Sequence, residues 1–212
     1  MKNILIIYPS MIMGGSTTSL IAFLNAIDKE RYRVDLQLYK NEGPLIKKLP
    51  QNISVLDEAF MFRGVKGKMI KMWLGIKSGY LNKAFCENKR LNKKGLSQQM
   101  MAEFQAKYLS KKLDKHYDIA ISFLEGWSNI YLAWCVKATK KIAWFHSTFR
   151  NVSANPMLEE NWMRRVDKIS FVSKKCVDDF KIEMPNMGNK AILVENIIDS
   201  DVIREQIGRA HV

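Results

Sequence analysis

The sequence predicts an α/β domain with three layers and a mostly parallel sheet of about seven strands. Three observations predict it. Residues 4–8 are a short apolar run, as expected of a strand that is covered on both faces. Gly14-Gly15 follow this run and precede a stretch with apolar residues at helical spacing. Similar apolar runs then alternate with helical stretches, which indicates right-handed βαβ units.

The first unit has the form of an anion-binding turn. Gly14-Gly15 allow the backbone to turn sharply and to approach a ligand without a Cβ in the way. Ser16, Thr17 or Thr18 is predicted to cap the helix that follows. Free N–H groups and the positive end of the helix dipole favour a phosphate or carboxylate there. The alternative is a tight connection without a ligand, and no third glycine completes the dinucleotide-binding fingerprint.

The remaining elements follow in a regular order. Further strands are predicted at residues 32–39, 53–56, 118–124, 141–145, 168–172 and 191–194. Helices are predicted at residues 97–113, 130–136, 158–166 and 174–182. The chain shows no internal repeat, low-complexity tract or flexible linker, so we predict one domain.

Composition limits the class of protein. With 212 residues, 47% of them apolar, the chain can bury a sizeable core. Its cysteines, Cys86, Cys135 and Cys176, never form a C-x-x-C pair, so neither a disulfide framework nor a zinc site is expected, and a reducing cytosol is the default. No stretch reaches the roughly 18 to 20 apolar residues that span a bilayer, which favours a soluble or peripheral protein.

The net charge of +13 is concentrated in one segment, residues 60–95. Between Phe60 and Lys94 this segment carries ten basic residues and one acid. On a helix its apolar residues would share one face, as in helices that lie on anionic membranes. The residues predicted to contact a membrane are Lys66, Lys68, Lys71, Trp73 and Lys77. Two alternatives are a charged helix whose apolar side, with Met69, Trp73, Ile76 and Tyr80, packs in the core, and nucleic-acid binding, for which no motif is present.

Polar residues follow the predicted strands at the points where each strand ends. Ligands of parallel sheets bind at the carboxyl ends of the strands, so these residues are expected to converge. Alone, a strand-end His or Glu is more often structural; together they predict a sugar or phosphate site. The strand ends deliver Gly14-Gly15, Glu125-Gly126, His146-Ser147, Ser173-Lys174 and Glu195-Asn196.

Seven motifs in this order carry a family resemblance: KNILIIYP…GG, YRVDLQLYKNEGPL, KLPQNISVL, YDIAISFLEG, KKIAWFHS, DKISFVSKKCVDDF and VENIID. Residues 1–203 resemble the N-terminal half of glycosyltransferase family four, the retaining GT-B enzymes, and are most similar to members that build capsular or other surface polysaccharides. Residues 60–95 are the most divergent part.

The resemblance implies a two-domain enzyme with Rossmann-like halves. The N-terminal half would bind a saccharide or lipid-linked acceptor, and the absent C-terminal half would hold the nucleotide-sugar donor. His146 would be the catalytic residue, donating a hydrogen bond to the donor sugar or positioning the acceptor hydroxyl. The resemblance also implies that the enzyme retains the anomeric configuration and needs no obligatory metal or other cofactor. The expected substrate-binding residues are Gly14, Gly15, Ser16, Thr17, Glu125, Gly126, Ser147 and Asn196; of these, the role of Glu125 toward acceptor hydroxyls is inferred from its position.

The domain is predicted to end near residue 203, with an interdomain linker at residues 197–206. The last six residues, IGRAHV (207–212), equal the translation of a common sequencing adapter, so we expect the open frame to continue past Gln206. This chain alone is expected to be inactive, and the whole protein to be cytoplasmic at the inner face of the plasma membrane. The alternatives are a membrane-binding module without catalysis and another nucleotide-binding domain, which is disfavoured because Tyr39-Lys40 occupy the place of an acidic ribose ligand.

Overall fold

The first strand of the chain lies inside the sheet, third from one edge. The computed structural model describes residues 1–62, 64–79, 96–152 and 156–197, without the side chains of 64–68, 71 and 96–98. Within them, seven strands pair in the order β3-β2-β1-β4-β5-β6-β7, and every pair is parallel. The strands are β1 (Lys2–Tyr8), β2 (Tyr32–Leu38), β3 (Ile53–Val55), β4 (His116–Ser122), β5 (Lys137–Phe145), β6 (Lys168–Phe171) and β7 (Ala191–Leu193).

Seven α-helices are described between or beside these strands. They are α1 (Gly15–Ala26), α2 (Gly64–Lys77), α3 (Leu96–Phe104), α4 (Trp127–Cys135), α5 (Phe149–Val152), α6 (Pro156–Met163) and α7 (Lys174–Glu183). The prediction of a three-layer α/β domain with about seven mostly parallel strands is confirmed. All seven predicted strands are present; each predicted segment is rich in apolar residues and too short for a buried helix.

Each face of the sheet contributes to a separate core, because successive side chains on a strand point to opposite sides. On one face, Ile6 and Leu36 pack with Leu20 and Leu24 of α1. On the other face, the neighbouring strand residues pack against α4, α6 and α7. The second core contains, among others, Leu5, Ala120, Phe145, Tyr131, Trp162 and Phe180.

The helix predicted at residues 97–113 ends earlier than expected. After α3, the chain forms one π-helical turn at Gln105–Leu109, and Ser110 then makes a β-bridge to Phe60. Ser110 Oγ donates to the Gln105 carbonyl at 2.8 Å and accepts from Trp127 Nε1 at 3.1 Å. These contacts satisfy polar groups at the helix end, and the local sequence does not predict them.

Helix α2 shows that the basic segment contains a helix, and its exposure excludes the alternative in which the apolar side of this helix packs in the core. Met69, Trp73 and Ile76 are 64%, 55% and 64% exposed, so this apolar face does not pack in the core. Tyr80, the fourth member of the predicted face, lies outside the described residues. Among the helices of the described part, none is long and apolar enough to cross a membrane. Cys135 and Cys176 are free and buried, and Cys86 lies outside the described residues.

Candidate functional site

The strand order reverses between β1 and β4, and this is where a doubly wound sheet opens a crevice. Gly14-Gly15 follow β1, and Glu125-Gly126 follow β4, so the structure brings these two loops to neighbouring strand ends. His146 and Ser147 follow β5, the next strand along. The predicted convergence at the carboxyl edge is therefore present for the loops after β1, β4 and β5.

The start of α1 leaves its backbone N–H groups without a side-chain cap. Gly14 is the N-cap residue in an extended conformation, and among the described residues no side-chain cap hydrogen bond is made to the first turn. The prediction that Ser16, Thr17 or Thr18 caps this helix is wrong. Ser16 and Thr17 hydroxyls instead lie 2.8 and 3.1 Å from the Tyr8 hydroxyl, and Thr18 Oγ1 donates to the Gly14 carbonyl at 3.2 Å.

The helix start stays open because its N-cap residue is Gly14, which has no side chain to accept a hydrogen bond. Tyr8 is the last residue of β1, and its phenol engages the hydroxyls of Ser16 and Thr17, which lie inside the first turn. Thr17 is 1% exposed, whereas Gly14 and Gly15 are exposed. Ligand contact is consequently open to the two glycines, while Thr17 acts as an internal partner of Tyr8. An uncapped helix start attracts anions through its free N–H groups and its dipole.

The loop between β1 and α1 is held by a second loop that the sequence analysis did not single out. Met11 N–H donates to the Glu42 carbonyl at 2.9 Å, and Leu45 N–H donates to the Met11 carbonyl at 3.1 Å. Gly43 has φ +116°, and a Cβ placed on it would lie 2.2 Å from the carbonyl carbon of Met11. A side chain cannot fit there. The Gly-Pro pair at 43–44 was the available signal for this turn.

Glu125 and His146 connect the loops after β4 and β5. Oε2 of Glu125 accepts a hydrogen bond from the backbone N–H of His146 at 2.9 Å. The residue after Glu125, Gly126, has φ +85° and is exposed, a conformation that favours glycine. Glu125 therefore holds the polypeptide backbone at the start of the His146 loop, a role that its residue type alone did not predict.

The imidazole of His146 is half-buried beside two aromatic rings, and its burial disfavours the charged form. Its ring centroid is 5.0 Å from that of Phe123 and 6.1 Å from that of Trp144. Burial lowers the pKa of His146 below its usual 6.5, while the Glu125 carboxylate and a hydrogen bond with the Phe123 backbone act in the opposite direction. Desolvation is the largest of these effects, because it disfavours the charged ring.

The two ring nitrogens of His146 have different surroundings. Nε2 is buried and has no hydrogen-bond partner among the described residues. In a neutral imidazole one nitrogen donates and the other accepts a hydrogen bond, so the ring can serve in either role.

The two remaining predicted substrate residues are placed differently. Ser147 is half-buried directly after His146, at the edge of the sheet where the other residues converge. Asn196 follows β7, and its Oδ1 accepts a hydrogen bond from Ser19 Oγ of α1 at 3.1 Å. The chain leaving β7 is therefore tied to the helix of the glycine turn. Ser173, another strand-end residue, caps α7 by accepting from Cys176 N–H at 3.3 Å.

A buried polar cluster beneath the loop after β4 was not predicted. Ser122 Oγ bonds Asn129 Oδ1, while Asn129 Nδ2 and Ser128 Oγ are buried without a partner among the described residues. Ser128 and Asn129 belong to the first turn of α4. Ser and Asn at a helix start usually indicate capping, so their residue types did not predict that they would lie in the interior.

A small, partly open cleft lies elsewhere, between α3, α4 and α6, and includes none of the predicted site residues. Its wall contains Glu159, which accepts hydrogen bonds from Gln99 Nε2 at 2.6 Å and from Trp162 Nε1. Burial raises the pKa of Glu159 from 4.5 to about 7. No group of three or more His, Cys, Asp or Glu side chains in the described part is arranged to hold a metal ion.

The predicted membrane-contact residues belong to α2. Trp73 is exposed, and Lys77 Nζ lies 4.7 Å from the centroid of its ring. Lys66, Lys68 and Lys71 fall within the helix, but their side chains lie outside the described residues.

Comparison with known proteins supports the fold. No family model and no curated protein matches the sequence. The structure is similar to HepE of Anabaena in complex with UDP-glucose, with a TM-score of 0.52 and 13% identity over 98% of this chain and 50% of that one. The complex of the same protein with UDP and glucose gives a TM-score of 0.52 and 14% identity over the same shares.

A third similar structure is a glycosyltransferase from Rickettsia africae, with a TM-score of 0.47 and 12% identity over 100% of this chain and 50% of that one. The chain thus spans about half the length of the solved structures that it matches. At these identities the two HepE comparisons establish a shared fold.

Proposed function

We propose that this chain is the acceptor-side half of a glycosyltransferase that moves a sugar from a nucleotide-sugar donor to a saccharide acceptor. The observation that carries the proposal is that three polar loops follow the carboxyl ends of the adjacent strands β1, β4 and β5, beside the switch point of the sheet. These are the uncapped start of α1 at Gly14-Gly15, the Glu125-Gly126 turn and His146. The shared fold with HepE, which was solved with UDP-glucose, supports a nucleotide-sugar as the donor.

The chemistry of glycosyl transfer matches these groups. The transition state carries positive charge on the sugar ring and growing negative charge on the leaving diphosphate, and stabilising that diphosphate is the main electrostatic task. The free N–H groups at Gly14 and Gly15 would supply part of it. Burial favours the neutral form of His146, which suits the second role expected for it, positioning an acceptor hydroxyl for attack. Glu125 would act as a positioning residue through the His146 backbone.

The finer parts of the proposal derive from the family resemblance. They are retention of anomeric configuration, independence of an obligatory metal, a lipid-linked acceptor and a role in surface polysaccharide synthesis at the inner face of the plasma membrane. The charged groups that would hold the donor belong to the second half, which the resemblance places after the linker. We therefore expect this chain alone to transfer no sugar.

The test begins with the source gene. We expect its open frame to continue past Gln206 for roughly another domain, and a natural stop codon there would contradict the proposal. In the complete protein, His146→Ala should lower turnover with UDP-glucose or another nucleotide-sugar at least about tenfold, or about 1.4 kcal/mol. His116→Ala is the matched control, because His116 is exposed at the amino end of β4, the edge opposite the site. Equal activity of both variants would show that the role of His146 is only structural.

Two other functions would give different results. A nucleotide-binding domain of another kind would bind its nucleotide saturably as the present chain, without a second domain. A membrane-binding module without catalysis would bind vesicles but show no transfer in the complete protein with any nucleotide-sugar. Calorimetric titration of this chain with UDP and UDP-glucose, beside an activity screen of the complete protein, distinguishes the three.

A further inference from the structure

Helix α2 presents a continuous apolar face to solvent. Met69, Met72, Trp73 and Ile76 are 64%, 63%, 55% and 64% exposed. Their spacing of three, four and seven residues from Met69 places them on one side of a helix. Folded proteins rarely leave so many large apolar side chains exposed side by side unless the surface binds something.

This exposure does not result from a helix detached from the domain. Leu74 lies between the exposed positions in sequence, but it packs against the buried cluster of Phe60, Phe104 and Leu109. Gly75 beside it is buried. One side of α2 is therefore fixed to the domain by apolar contacts, while the side with Met72 and Ile76 points away from it.

The charge of the helix identifies the kind of surface that would cover this face. The α2 sequence GVKGKMIKMWLGIK contains four lysines and no acid, and Lys77 Nζ lies over the Trp73 ring at 4.7 Å. A second copy of a chain with net charge +13 would bring like charges together. Lysine is also depleted at protein interfaces, and nucleic acid offers no apolar layer for Met and Ile side chains. Trp, Met and Ile beside lysines are typical of helices that lie in an anionic membrane surface.

We infer that α2 lies in the plane of an anionic bilayer, with Met69, Met72, Trp73 and Ile76 in the boundary between headgroups and acyl chains. Lys77 then reaches the lipid phosphates, as amphipathic cationic side chains do at interfaces. The inference extends the proposed function and rests on it in one respect, namely that the acceptor is anchored to lipid. Binding of the membrane itself does not depend on glycosyl transfer.

Aromatic contacts connect α2 to the candidate site. The Tyr39 ring packs against the cluster that supports Leu74, with its centroid 5.1 Å from that of Phe60. On its other side, Tyr39 lies 4.8 Å from Trp127, the first residue of α4 after the Glu125-Gly126 turn. A bilayer that holds α2 is consequently beside the carboxyl edge of the sheet, where a lipid-anchored acceptor would have to present its sugar.

The experiment is sedimentation of the 212-residue chain with vesicles of phosphatidylcholine, with or without about 30% phosphatidylglycerol. We expect binding to the anionic vesicles that weakens with salt. The double variant Met72→Ser/Ile76→Ser should bind at least about tenfold more weakly, because it removes apolar area from the interface. The matched control is Met157→Ser/Ile182→Ser, which changes side chains that are 80% and 73% exposed on α6 and α7 and should bind as the unchanged chain does.

A second readout reports the depth of the helix. Trp73 emission should shift to shorter wavelength on vesicle binding, and Trp73→Phe should abolish that component. The inference is overturned if Met72→Ser/Ile76→Ser binds normally with unchanged circular dichroism, if the control loses binding equally, or if the chain is a dimer that this variant dissociates. Vesicle binding by a complete protein that transfers no sugar would contradict the proposed function and leave this inference standing.

Discussion

The carboxylate of Glu125 holds the backbone N–H of His146, with 2.9 Å between Oε2 and the nitrogen. The contact joins the ends of β4 and β5, which are neighbours in the sheet. Through it, a side chain from one loop fixes where the next loop begins. The position of the imidazole therefore depends on Glu125.

The first prediction concerns this contact. Glu125→Ala should lower the free energy of unfolding by about 1 kcal/mol, because the His146 N–H loses its acceptor at a half-buried position. Glu125→Gln should lose less, since the amide oxygen can still accept the bond. Urea denaturation of both variants measures the difference. Identical losses would show that charge, rather than the hydrogen bond, is what the position requires.

The second prediction follows from the lowered pKa of His146. The unfolded chain binds the imidazole proton of His146 more tightly than the folded chain does. The free energy of unfolding should therefore decrease as the pH falls below 6.5. The decrease is complete below the pKa of the folded state, and above 6.5 it is absent. His146→Gln should therefore lose less stability between pH 7 and pH 5 than the unchanged chain. His116→Gln at an exposed position serves as the control, and parallel curves for all three proteins would contradict the assignment.

The fold could be predicted because hydrophobic periodicity and chain order determine it directly. The runs at β1, β4 and β5 are apolar along their buried parts, and polar residues follow them where the strands leave the core. Parallel strands bring such residues to one edge, so the convergence of Gly14, Glu125 and His146 followed from topology alone. Their use as substrate-binding or catalytic residues stays a prediction.

The side-chain partners could not be predicted, because they depend on packing across the sheet. Ser16 and Thr17 are good capping residues by type, yet the Tyr8 phenol at the end of β1 engages their hydroxyls. Asn196 lies 177 residues from Ser19 along the chain and still bonds to it. The exposed face of α2 is a related case, since amphipathic spacing gives the face but not whether the domain covers it.

The third prediction concerns Glu159, whose pKa burial raises to about 7. A carboxyl with a raised pKa contributes its full stability below pH 4.5 and loses it as the pH rises through 7. Glu159→Gln should therefore be more stable than the unchanged chain at pH 8, by about 1 to 2 kcal/mol because the side chain retains some contact with solvent. At pH 5 the advantage should vanish.

Thermal unfolding of both chains across this pH range gives the comparison. Glu103 and Lys107 are paired at 2.5 Å near this site, and Glu103 adds to the raised pKa. Glu103→Gln should accordingly lower the pKa of Glu159 and weaken the pH dependence. A stability difference that stays constant from pH 5 to pH 8 would show that Glu159 does not titrate in this range.

The last prediction separates glycines that the fold requires from glycines that a ligand requires. A Cβ at Gly43 would meet the Met11 carbonyl carbon at 2.2 Å, and φ is +116°, so Gly43→Ala should destabilise the chain by about 2 kcal/mol or more.

A Cβ at Gly14 or Gly15 meets nothing within 4 Å. Gly15→Ala should therefore leave the unfolding free energy nearly unchanged, and in the complete protein it should weaken nucleotide-sugar or acceptor binding, because a methyl group would stand where an anion approaches the helix start. Calorimetric titration beside urea denaturation measures both effects. A Gly15→Ala protein that is stable and binds normally would show that the turn is only a connection between β1 and α1.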